Sequence, residues 1–138
     1  MARRRGKGTK ALMEIRTALD KGLGRFLGKT QGKLNKDAPV DTGRFASSWF
    51  IGHNVPDRRV APERKKGQTL VSITKFNDKI TIDGTWYISN NLPYAERVCL
   101  NPKWAKNGAG GSAWFTTIAN NLGKDAEKSF DFFLRKVK

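Results

Sequence analysis

Residues 85–98 read Thr-Trp-Tyr-Ile-Ser-Asn-Asn-Leu-Pro-Tyr-Ala-Glu-Arg-Val, and two backbone regimes meet inside them. The first half alternates aromatic and β-branched residues, as a pleated, half-buried strand requires. Asn90 and Asn91 then break the apolar pattern. Pro93 has no N–H to give to a ladder and fixes its own φ, so a central strand stops at it. Beyond it, Tyr94-Ala95-Glu96-Arg97-Val98 carries no breaker and can turn helical. The chain is therefore expected to leave a sheet here, through an Asn-Asn-Leu-Pro corner, into a short helix. The other segments must supply strands that pair with this one and helices that cover it.

Two segments have helical spacing. In residues 11–34, Leu12, Ile15, Leu19, Leu23, Phe26, Leu27 and Leu34 recur at three and four, with basic residues on the opposite face. Gly22, Gly24 and Gly28 each cost about 1 kcal/mol relative to Ala in a helix interior. This helix needs a packing partner, and its glycines mark a close helix–helix approach or a bend. The second segment opens on Ser112, a good N-cap. It carries Trp114, Phe115, Ile118, Leu122, Ala126, Phe130, Phe133, Leu134 and Val137, with Gly123 as a soft spot. Arg135, Lys136 and Lys138 sit at its end, where cations complement the macrodipole.

Between the helices, alternation predicts strands over residues 47–53, 69–76, 79–83 and 85–90. Trp49 and Ile51 share one face of the first, and Ile80 and Ile82 one face of the third. Asn77-Asp78 is read as a turn, and Asp83-Gly84 as a type I′ hairpin turn joining the last two strands. The expected fold class is α+β: an antiparallel sheet of about four strands covered by a long N-terminal and a long C-terminal helix. Residues 1–10 are expected to be a flexible basic arm, since they bury too little to offset their ordering entropy. Residues 11–138 are expected to form a single domain.

Charge dominates the composition. The chain has 138 residues, 27 basic against 12 acidic, for a net charge of +15. Residues 1–36 hold eleven of the cations against Glu14 and Asp20. A second concentration, Arg58, Arg59, Arg64, Lys65 and Lys66 against Asp57 and Glu63, fills a loop where Pro56 and Pro62 deny regular structure. Such a field implies an anionic neighbour: nucleic acid, a membrane surface or an acidic protein face. The competing reading is a solvated face that aids solubility. No apolar run approaches the roughly 20 residues of a membrane span, and the basic N-terminus lacks a signal-peptide core. Synthesis in a reducing cytoplasm is expected, because the one Cys cannot form an intrachain disulfide.

Catalytic apparatus is sparse. His53 lies at a strand end without an evident partner and reads as a surface residue. Cys99, between Val98 and Leu100, reads as a buried, inert thiol. Asp37 with Asp41, and Asp78 with Asp83, fall at turns, where Asp serves backbone hydrogen bonding. Gly108-Ala109-Gly110-Gly111-Ser112 precedes a helix but lacks the Lys and spacing of a P-loop. Of the four Trp residues, Trp49 and Trp86 are expected in the core and Trp114 opens a helix. Trp104 stands among Lys103 and Lys106 and is the candidate for stacking on a nucleic-acid base. No cofactor and no metal is implied.

Two pieces of sequence look familiar. One is Ala38-Pro39-Val40-Asp41-Thr42-Gly43-Arg44 followed by Ser47-Ser48-Trp49; the other is Asn90-Asn91-Leu92-Pro93-Tyr94-Ala95 followed by Glu96. Together, and in this order, they resemble the small neck or tail-completion proteins of long-tailed bacteriophages. In that family a P-V-D-T-G-x-[LF]-x-x-S segment enters the sheet after a long helix. An N-x-x-P-Y-A segment leaves it before a Gly-rich loop and a C-terminal helix. The order of elements agrees over residues 11–133. One departure is that the glycines come late, at Gly108 to Gly111, and Glu96 directly follows Ala95. The resemblance implies a non-enzymatic virion protein of the head–tail junction, forming a ring of its own copies. Its implied partners are connector or head-completion proteins and tail-tube or tail-terminator proteins, with charge-only contact to packaged DNA and none to membrane. On that view Asp41, Thr42, Gly43, Asn91, Pro93 and Tyr94 build the two corners. Arg58, Arg59, Arg64, Lys65 and Lys66 form a docking or DNA-facing loop, and Arg3, Arg4, Arg5 and Lys7 an arm that orders on assembly. The alternatives are a free-standing basic nucleic-acid-binding module using that arm and Trp104, and a nuclease, for which no acidic cluster is evident.

Overall fold

The structure is a computed structural model describing residues 7–38, 44–45, 47–61, 79–100 and 113–137. Its elements are α1 (Lys7–Asp37), β1 (Trp49–His53), β2 (Trp86–Asn90), α2 (Ala95–Leu100) and α3 (Ala113–Leu134). The chain is thus mixed helix and strand, with long first and last helices. α1 begins at Lys7, within the stretch read as an arm, whose residues 1–6 lie outside the described residues. Lys10 lies in a hollow with Phe133 of α3 and Lys136 just beyond it, a tertiary proximity that composition alone does not reveal.

α1 and α3 pack antiparallel. Lys33 binds Asp125 at 2.5 Å, and nearer the start of α1 the Arg25 guanidinium stands 4.1 Å from the Phe132 ring centre. Gly22 marks the close approach: a Cβ there would stand 3.0 Å from Phe130 Cα. Gly28 faces open space, so of the expected uses of these glycines, close packing belongs to Gly22. The apolar spacing of α1 is not buried throughout. Leu12 is 68% exposed and Ile15 38%.

Among the described residues the sheet has two antiparallel strands, in a register running from Trp49↔Asn90 to His53↔Trp86. Trp49, Phe50 and Ile51 are all buried, so both faces of β1 are covered. Residues 79–83 are not a strand, which corrects the predicted hairpin. α1 takes up their bonding groups instead: the Ile82 N–H donates to Asp20 Oδ1 (2.8 Å), Asp83 pairs with Arg16, and Ile80 lies over Gly24. The indole N–H of Trp86 donates to Thr81 O (2.8 Å), tying this segment to β2. Gly84 does adopt a positive φ, +77°, as a turn requires, but the turn delivers the chain from the surface of α1 into β2. Asn54, at φ 65°, closes the same end through Asn54 N–H to Thr85 O (2.6 Å). The predicted strand over residues 69–76 lies outside the described residues.

The core joins the ends of α1 and α3 to the sheet and to α2. Leu34, Ala38, Phe45, Trp49, Leu92, Ala95, Val98, Cys99 and Ile118 form it.

Candidate functional site

The two familiar segments meet in this core. Phe45 lies edge-on to Trp49 (5.7 Å between ring centres) and to Trp114 (6.0 Å), and 6.4 Å from Tyr94. The Asn90 amide donates to Phe45 O (2.9 Å), while its Oδ1 accepts from the Leu92 N–H (3.2 Å). One side chain thus shapes its own corner and clamps the other segment. Pro93 sits exposed at the turn, and the Ala95 N–H donates to Leu92 O (3.0 Å) at the start of α2. Ser48, fully buried, donates through Oγ to Arg44 O (2.6 Å) and accepts from the Ala61 N–H (2.9 Å). Arg44 Nε donates to Ala61 O (2.9 Å), so the first segment pins the end of the Asp57–Ala61 stretch. Asn91 pins its beginning: the Asn91 amide (2.6 Å) and the Ser89 hydroxyl (3.0 Å) both donate to Asp57 O. Asn91, Pro93 and Tyr94 therefore fall at the predicted corner. Asp41, Thr42 and Gly43 lie outside the described residues.

Of the predicted basic residues, Arg58 is exposed. Arg59 turns back on Asp57, with Nη2 to Oδ2 at 2.7 Å, and its guanidinium lies 4.8 Å from the Phe50 ring centre. The Arg59 hydrogen bonds hold the Asp57 carboxyl below the usual carboxylate range and raise the guanidinium in turn. Arg59 thus serves its own loop first. Lys7 is in the first turn of α1. Arg3, Arg4, Arg5, Arg64, Lys65, Lys66 and Trp104 lie outside the described residues.

The candidate chemical groups are occupied structurally. The His53 ring stacks on Trp86 (4.1 Å, 8°) and its Nε2 is 2.8 Å from Asp83 O. Burial pushes the Cys99 thiol up to about 11, so it is protonated and inert at neutral pH. Among the described residues no three His, Cys, Asp or Glu side chains gather where they could hold a metal ion. No described helix is long and apolar enough to cross a membrane.

Two surfaces escaped the sequence reading. One is an apolar hollow of about 580 Å³ between α1, α3, the sheet and α2, lined by Phe26, Trp49, Trp86, Ile88, Phe115 and Leu122 among others. The other is a cationic seam. Arg25 lies over the Phe132 ring at 4.1 Å and Lys136 over the same ring at 4.2 Å, and Phe132 remains 41% exposed. Each half was legible as a stripe at four-residue spacing, Lys21, Arg25, Lys29 and Lys128, Phe132, Lys136. Which helix faces which was not.

No protein-family model, no curated protein and no solved structure matches this chain.

Proposed function

We propose that this chain is a non-enzymatic structural protein of the bacteriophage head–tail junction. Made in the host cytoplasm, it takes its place in the virion as a ring of its own copies between connector or head-completion proteins and the tail tube or its terminator. The observation that carries this reading is the clamp of Asn90 on Phe45 O, with Tyr94 beside the Phe45 ring. Two segments that resemble one family, 45 residues apart at this contact, form a single structural unit. A closed ring also needs two different surfaces on each copy. The chain offers exposed Leu12 and Met13 near one end of α1, and an apolar hollow beside the other. The larger sheet that the alternation of residues 69–76 predicts belongs to this proposal.

The test is assembly. Light scattering and negative-stain images would be taken of the purified chain, alone and with the connector and tail-tube proteins encoded beside it. Closed rings, or particles bound to connector or tube, are expected. A chain that stays monomeric with all of them and is missing from the neck of the intact particle would overturn the reading. The second reading, a free-standing nucleic-acid-binding module, is favoured by the net charge of +15. It requires tight binding of short DNA by the monomer, falling steeply with salt.

A further inference from the structure

We propose that the seam between α1 and α3 is a seat for the phosphate backbone of double-stranded nucleic acid. The contacts are Lys21, Arg25 and Lys29 of α1 with Lys128 of α3 and Lys136 in the turn just after it, arranged around Phe132. This goes beyond the ring reading and does not rest on it.

Lys21, Arg25 and Lys29 stand at four-residue intervals, on one face of α1 and about 6 Å apart along its axis. Lys128 and Phe132 repeat that spacing on α3, and Lys136, in the turn after it, reaches back to within 4.2 Å of the Phe132 ring centre. Antiparallel packing brings the stripes level. Lys21 and Lys136 line one hollow, Arg25 lies on Phe132, and Lys33 binds Asp125 farther along. Lys29 and Lys128 fall between the last two rungs. Among the described residues none of these five cations has a carboxylate partner, whereas Arg16 and Lys33 of the same helix have theirs. Glu14 shares the hollow with Lys21 and Lys136. On α3, Glu127 lies about 140° round from Phe132 and Asp131 about 100°, although Asp131 is the i+3 neighbour of Lys128, about 60° round from it.

The chemistry favours a nucleic-acid backbone over an acidic protein. Protein interfaces are built on apolar anchors and are depleted in Lys at their centre. Here Lys predominates, and the central aromatic ring already has Arg25 and Lys136 over it. The same occupation removes Phe132 as a platform for base stacking, so contact is by charge without sequence readout. A membrane surface would call for a broad apolar face between the cations; here there is the single Phe132 ring, already under Arg25 and Lys136, with exposed Met13 at the Lys21–Lys136 end alone. A duplex presents one charge per roughly 1.7 Å of axis, so a patch about 12 Å long by 10 Å wide meets several phosphates at once. Seating Arg25 and Lys136 on the ring also reduces the rotamer freedom they lose on binding.

The experiment is a salt titration of the full chain against a fluorescent duplex, read by anisotropy between about 50 and 200 mM salt. The variant Lys21→Gln/Lys29→Gln/Lys128→Gln keeps side-chain length and removes three charges. The plot of log affinity against log salt is expected to flatten by about 2–3, at about 0.9 for each phosphate no longer neutralised. Affinity at low salt should fall by roughly tenfold or more, with the circular dichroism melt unchanged. The double variant Lys29→Gln/Lys128→Gln should give about two-thirds of that change in slope and serves if the triple does not fold. Arg97→Gln, at an exposed cation of α2 outside the seam, should move the slope by no more than about 0.9, the share of a single phosphate. A triple or double variant that binds duplex as the unaltered chain does would overturn the proposal. So would a chain that ignores duplex at low salt, or one that binds phosphatidylserine vesicles without displacement by duplex. Assembly is scored separately: weakened duplex binding with intact rings leaves the ring reading standing, and the reverse outcome leaves the seam standing.

Discussion

Replacing a glycine by alanine in α1 should have opposite consequences at two positions less than two turns apart. At Gly28 an added Cβ meets nothing within 4 Å, so Gly28→Ala gains the helix propensity alone, about 1 kcal/mol. At Gly22 the same gain applies, but the Cβ would stand 2.6 Å from Phe130 Cδ1 and 3.0 Å from Phe130 Cα. The ring atom can swing aside. The Cα cannot, so α1 and α3 must part by a few tenths of an ångström along a contact that spans much of both helices. Overpacking of this kind costs about 1–3 kcal/mol. Propensity cancels in the comparison, and Gly22→Ala should be less stable than Gly28→Ala by that 1–3 kcal/mol, roughly 3–10 °C in Tm for a chain of this size. Urea unfolding followed by tryptophan fluorescence measures it directly, with Gly32→Ala as a second open-space control. If Gly22→Ala proved as stable as Gly28→Ala, the two helices would not meet at that glycine, and the seam built on their register would fall with it.

Asn90→Ala removes the donor to Phe45 O and the acceptor for the Leu92 N–H together, and should destabilise by about 1–3 kcal/mol in the same urea assay. An effect within a few tenths of zero would mean that the corner does not depend on the clamp. For Cys99 the folded thiol titrates at about 11, above its unfolded value near 8.5, so burial favours the protonated form. The stability linked to it is complete below the unfolded value and is lost as pH rises through the folded one. Iodoacetamide at pH 8 should therefore label the native chain far more slowly than the urea-unfolded chain; equal rates would contradict the buried placement.

What could be read from the sequence follows from the range of the interactions concerned. The strand–corner–helix of residues 85–98 was legible because Pro93 acts on its own backbone and its immediate neighbours. The two long helices were legible because their period repeats many times. Residues 79–83 were misread because alternating Ile80 and Ile82 suit a strand and a segment laid along α1 equally well. Only Asp20 and Arg16, some 60 residues earlier, decide between them. For the same reason the pairing of β2 with β1 could not be read: local turn chemistry at Asp83-Gly84 favoured the nearer partner. At the candidate site the Asn90 clamp was missed, since its acceptor is a backbone carbonyl 45 residues away. Arg59 was grouped with the docking or DNA-facing cations, and its pairing with Asp57, two residues away, was not read.

The energetics of the seam separate what it does for the fold from what it is suited to do. Gly22 against Phe130 and Lys33 with Asp125 hold α1 to α3. Two unit charges about 10 Å apart in bulk-water dielectric repel by about 0.4 kcal/mol before screening. Several such pairs arise when Lys21, Arg25, Lys29, Lys128 and Lys136 crowd one ridge. The two cations on Phe132 return about 0.5–1 kcal/mol each as exposed cation–π contacts. Repulsion and attraction therefore nearly cancel, and the ridge does little for folding in either direction. An anion laid along it changes that balance, because it removes the repulsion while leaving the ring contacts in place. Folding gives no reason for these cations to gather on one side of the molecule, whereas an extended line of phosphates does.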